Sequence, residues 1–140
     1  MNLSNYAEEQ ILDHVLRGET LDTPDNIYLA IFNGNATEYD MENSELEHEV
    51  DDYEPANRPE ITFDPPERDG DTEPTIVESI EDLEIEDMPS VTILYAALMD
   101  TETHGEGNIW WWLDLEDGEE SIDSGNSLIV NPGDIKAGLD

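Results

Sequence analysis

The chain has 140 residues, and its 38 Asp and Glu against four Lys and Arg give a formal charge of −34. Phosphate contacts need Lys and Arg, so the balance excludes nucleic-acid binding, and with no Cys there is neither a disulfide nor thiolate chemistry. No run of about 18 apolar residues offers a membrane span, so no membrane insertion is expected, and MNLSNYAEEQ lacks the basic and apolar regions of a signal peptide.

In chain order, LSNYAEEQILDHVLRGE reads as an amphipathic helix over residues 5–17. Ser4 or Asn5 can cap it, and Glu8 and Glu9 lie in the favourable first turn. Ala7, Ile11 and Val15 recur every four residues with Leu12 and Leu16 beside them; Gly18 is a natural stop. TPDN (residues 23–26) is a turn leading into Ile27–Phe32, a short strand apolar on both faces. Residues 35–75 carry many acids and five prolines, which suggests long loops with short strands near Val50–Tyr53 and Ile61–Phe63.

VESIEDLEIED (77–87) reads as a partly exposed strand, and Ser90–Asp100 as a strong strand apolar on both faces. TETHGEGN is a hairpin loop. The strand NIWWWLDL follows, then the turn EDGEE, and the short strand SLIV between two more turns. The reading is one domain over 1–140, with a helix at 5–17, an acidic loop-rich middle at about 35–90 and a C-terminal β-hairpin region at about 90–140. One helix and many short strands predict a mainly β fold: an antiparallel β-sandwich or small barrel with the helix packed on it.

Alternate residues of a strand share a face. Ile109, Trp111, Leu113 and Leu115 therefore point to a core, while Trp110 and Trp112 point the other way. Intramolecular packing, an oligomer interface and a ligand platform all remain open for those two rings. Interfaces favour Trp; Tyr28 and Phe32, on the apolar strand, are further interface or platform candidates. His14, His48 and His104 read as surface histidines among acids, with no nucleophile motif beside them. ERDGDTE and EDGEESIDSGN could hold a hard cation, with Asp69, Asp71, Asp117 and Asp123 as weak ligand candidates for Ca²⁺ or Mg²⁺. At this acid density, diffuse attraction of Na⁺ and K⁺ is the simpler expectation, and no cofactor motif is present. No nucleophile, base and orienting group occur together, so no enzymatic activity is expected.

The two ends of the chain are similar to a family of small tailed-phage virion structural proteins. LSNYAEEQILDHVLRGET and TPDNIYLAIF resemble that family's opening, "LSNYxExxLLDHxLGG" and then "PxxxYVALF". AALMDTETHGEGNIWWWLDL resembles its "GLFDxxxGGNLLFYGxL" hairpin, and IDSGNSLIVNPGDIKAGLD its ending "VxxGDxLxFxAGxLxxxLD". Residues 35–90 depart from the small, Gly/Ser/Ala-rich segment usual there. Members are tail-fibre, tail or minor virion proteins. The resemblance implies a virion location after assembly in the host cytoplasm, other virion proteins as partners and no catalytic residues.

High charge with few apolar residues usually means disorder, but 36% of this chain is apolar and falls in strand-like runs. Acidity spread over the whole length fits a folded protein in molar salt, where the Debye length of about 3 Å screens self-repulsion. The combined expectation is a virion protein of a tailed virus of a halophile, a haloarchaeon. It would form a homo-oligomeric surface assembly: a capsid decoration or turret, or a tail-fibre base. The alternative is a module that binds a host-surface glycan or S-layer protein.

Overall fold

The computed structural model describes residues 1–68, 70–115 and 120–139. Helix α1 (Asn5–Arg17) has the expected bounds. Ser4 caps it, its side chain accepting from the Ala7 N–H, and Gly18 closes it in the left-handed region at φ 73°. A second, short helix, α2 (Glu38–Glu42), stands in the stretch whose acids and prolines suggest loops and short strands. Its start is a reciprocal capping box between Thr37 and Asp40.

The main sheet has the order β1-β7-β6-β2-β3. Its strands are β1 (Asn2–Leu3), β2 (Ile27–Asn33), β3 (Glu60–Ile61), β6 (Val91–Met99) and β7 (Ile109–Asp114), all paired antiparallel. β8 (Glu120–Ile122) pairs with Val91–Ile93 of β6. Two small sheets lie apart from it. One joins β4 (Ile76–Glu78) to β10 (Lys136–Gly138), and the other joins β5 (Leu83–Ile85) to β9 (Leu128–Val130).

Alternation along β2 and β6 splits the core between the sheet's two faces. Ala30, Phe32, Ala97 and Met99 pack with Met41 of α2 and Trp112. Leu29, Ala96 and Leu98 pack on the other face with Val130, Ile135 and Ala137. Ile31 and Ile93 join Ile85 and Met88 there. A strand apolar on both faces is thus covered twice within one chain, and the sheets stay open as a sandwich, not a barrel.

Three local expectations need correction. Val50–Tyr53 forms no strand: Val50 and Tyr53 are both buried, at a spacing of three that a period-two strand cannot supply. VESIEDLEIED breaks into β4 and the separate β5, because the two halves pair with different strands. The packing of α1 is the third. Among its residues only Ala7 is fully buried, and Leu12, Val15 and Leu16 are 56%, 69% and 75% exposed.

Candidate functional site

Simple alternation fails along the tryptophan row, because a bulge interrupts it. Leu98 pairs with Trp111, but Met99 pairs with Ile109, so Trp110 is the extra residue. Ile109 consequently shares a face with Trp112, not with Trp111. Trp110 and Trp112 are about 95% buried (5% and 4% exposed), and Phe32 is fully buried. Tyr28 is half-buried against the same cluster. None of the four presents an exposed aromatic platform.

The helix root covers Trp110. Tyr6 meets its ring edge-on at 5.5 Å, and Trp111 stacks on it at 6.4 Å. Ser4 fixes the geometry: its N–H donates to the Trp110 carbonyl (3.1 Å) and its hydroxyl donates to the Ile109 carbonyl. One fully buried serine therefore caps α1 and pins it to β7. Trp112 meets Tyr95 edge-on at 5.8 Å. Burial raises the Glu42 pKa, the neighbouring Trp112 indole opposes the rise, and the Glu8 and Glu38 charges add to it. Trp111 walls an apolar cavity of about 290 Å³ between the main sheet and β4–β10, its indole N–H donating to the Gly138 carbonyl at 3.1 Å.

A buried ionic cluster lies below the β6–β7 hairpin. Arg58, 2% exposed, forks onto Glu49: Nε to Oε1 at 2.6 Å and Nη2 to Oε2 at 2.7 Å. Arg58 Nη1 donates to the Thr101 and Glu106 carbonyls at 2.8 and 2.9 Å. His104 Nδ1 bonds Glu49 Oε1, and the Gly105 N–H donates to Oε2, both at 2.9 Å. Each oxygen thus accepts two bonds. Burial alone would raise the Glu49 pKa, but the Arg58 bond, the Gly105 and His104 bonds and the Arg58 charge together hold it below its ordinary value. Tyr53 sits edge-on to His104 at 5.1 Å, and burial, aided by the Glu49 charge, raises its pKa.

His104 is therefore not a surface histidine, as the sequence suggested, but a member of an ion network. His14 does lie exposed, its Nδ1 bonded to the Glu19 carbonyl at 2.8 Å. Glu49 accepts two bonds from Arg58 within the 49–58 segment and two from His104 and Gly105 of the hairpin, an arrangement suited to fixing a loop. Asp100 closes the same hairpin by accepting from the Asn108 N–H (2.8 Å) and side-chain amide (3.0 Å). Gly107 is required there: φ is +85°, and a Cβ would collide with Thr101 and Asp100.

Of the weak metal candidates, Asp69 and Asp117 lie outside the described residues. Asp71 and Asp123 are described, and no group of three or more potential ligands gathers among the described residues. No described helix is long and apolar enough to cross a membrane.

The surface that stands out is the outer part of α1. Leu12 is followed at i+3 and i+4 by Val15 and Leu16, and half-buried Ile11 lies four residues before Val15. Such spacing puts them on one flank of the helix. The helix is anchored at its start and presents apolar side chains toward its end.

Residues 2–138 match the family model described as podophage GP4 fiber I protein gp80, so the chain belongs to that family of phage fibre proteins. No curated protein matches it.

Proposed function

Starting from membership of the gp80 fibre family, we propose that this chain is a structural subunit of the virion of a halophilic tailed virus of haloarchaea. It assembles with copies of itself into a surface element, either a fibre base or a decoration or turret on the particle, and does no catalysis. The single observation that carries the virion role is the match across residues 2–138. The halophilic setting rests on the charge of −34, distributed over a chain with a well-formed two-faced core. The ionic cluster around Glu49 supports a structural role, since Arg58, His104 and Gly105 all bond Glu49 and Arg58 also bonds the hairpin carbonyls of Thr101 and Glu106.

The test is made in about 3 M salt, where screening is nearly complete. Mass spectrometry of purified particles should find the protein, and light scattering of the free protein should find a multiple of its 15.8 kDa mass. A stable monomer missing from purified particles would overturn the reading.

A further inference from the structure

We propose that Asn33 is a site of self-catalysed deamidation, at which the turn after β2 drives attack by the Gly34 backbone nitrogen on the asparagine side chain. The asparagine converts through a cyclic imide to aspartate and isoaspartate. This chemistry stands apart from the virion reading. Of the chain's asparagines, only Asn33 precedes a glycine. The Ala36 N–H donates to the Asn33 carbonyl, closing a tight turn between β2 and α2, and Gly34 and Asn35 are exposed in it.

The reaction needs a nucleophile, an electrophile and a leaving group, and the turn supplies all three. The nucleophile is the Gly34 nitrogen after loss of its proton. Among the described residues that N–H donates to nothing. A Cβ on Gly34 would meet nothing within 4 Å, so the nitrogen lies open to solvent base. The resulting anion shares its charge with the Asn33 carbonyl oxygen, to which the Ala36 N–H donates at 3.1 Å; a hydrogen bond to the charged form favours that form. The electrophile is the Asn33 Cγ. The Asn35 N–H donates to its Oδ1 at 2.9 Å. That bond draws the side chain forward over Gly34 and stabilises the negative charge that Oδ1 takes up during attack. The leaving group is the side-chain nitrogen. Among the described residues Asn33 Nδ2 has no partner, whereas the Nδ2 atoms of Asn43, Asn108 and Asn131 are held by Tyr39, Asp100 and Asp134. Asn131 also precedes Pro132, which has no N–H to lose.

In the first step the Gly34 nitrogen bonds Cγ and the Cγ–Nδ2 bond breaks. Ammonia leaves with the proton that the Gly34 nitrogen gave up. Water then opens the imide at either carbonyl. Opening at Cγ restores the main chain with an aspartate; opening at the former backbone carbonyl leaves the chain running through Cγ, one carbon longer. Both products place a new carboxylate at the end of β2, close to buried Ala36.

The test ages the folded, full-length protein in about 3 M salt, where its self-repulsion is screened, over a range of mildly alkaline pH. Peptide mass spectrometry follows each asparagine, and an isoaspartate-specific methyltransferase gives a second readout. Conversion at position 33 should outrun that at every other asparagine by about tenfold. It should quicken with pH and run no slower than in the same chain unfolded in urea. Gly34 lies outside the left-handed region and has room for a Cβ, so Gly34→Ala should keep the wild-type circular dichroism and slow the conversion by about tenfold. Another asparagine converting as fast as Asn33, a folded rate below the unfolded one, or a folded G34A converting at the wild-type rate would each overturn the proposal.

Discussion

Replacing Glu49 by Gln keeps the shape of the side chain and removes its charge. Each carboxylate oxygen accepts two hydrogen bonds, from Arg58 and His104 on one and from Arg58 and Gly105 on the other. An amide nitrogen in place of either oxygen forfeits two of the four bonds and sets a donor against donors. It also leaves the Arg58 guanidinium, 2% exposed, without a counter-charge. Hydrogen bonds to charged groups contribute about 1.5–3 kcal/mol each, and breaking a buried pair from one side costs about 3–5 kcal/mol. A loss of about 4 kcal/mol is expected, a large part of an ordinary domain's stability.

Urea unfolding followed by tryptophan fluorescence measures it, since Trp110 and Trp112 lie in the core. The loss should persist in about 3 M salt, because buried pairs are screened far less than surface ones. The pH dependence adds a second constraint. The Glu49 pKa is lowered in the fold, so its stabilisation is complete above the unfolded carboxylate value of about 4.3 and is lost as pH falls through the folded value. Protonating the other acids relieves self-repulsion and acts in the opposite direction. The informative quantity is therefore the gap between wild type and E49Q, constant from neutral pH to about pH 5 and narrowing below it. A loss under about 1 kcal/mol at neutral pH, or a gap unchanged at about pH 3, would refute the role given to the cluster.

Three further outcomes are expected. Ser4→Ala should cost about 1–2 kcal/mol, from lost capping and the lost tie to the Ile109 carbonyl, and hydrogen exchange should show α1 opening before the sheet. Trp112→Ala should cost about 3–5 kcal/mol, and half-buried Trp111→Ala less, both by urea unfolding; equal losses would contradict the assignment of faces. Raising salt from about 0.1 to about 3 M, which shortens the Debye length from about 10 Å to under 3 Å, should raise the melting temperature; a flat or falling response would count against the halophilic setting.

Local chemistry was legible in the chain, and distant contacts were not. Helix α1 was bounded correctly because Ser4 and Gly18 are local signals. Helix α2 had one as well, the Thr37–Asp40 box, but it is hidden among the acids of the middle region. The bulge at Trp110 depends on the register against Met99, which period-two reasoning along one strand cannot detect. Glu49, Arg58 and His104 are separated by 9 and 55 residues from their partners. In a chain with 38 acids no spacing singles out Glu49; the rarity of cations made Arg58 the better clue. The exposure of Leu12, Val15 and Leu16 was equally hidden, since an apolar stripe reads the same whether its cover comes from within the chain or from outside.

The pairing of Asn2 with Trp112 and of Leu3 with Trp111 also orders events during synthesis. The first strand must wait for a partner made about 110 residues later, and contacts so distant in sequence close slowly. Until then Ser4 has no carbonyl on β7 to receive it, and α1 is no more than a short helix that is marginal on its own in water. The helix takes its fixed place only when nearly the entire chain is present. A ribosome-bound or truncated fragment ending before Ile109 would therefore lack a correctly mounted α1.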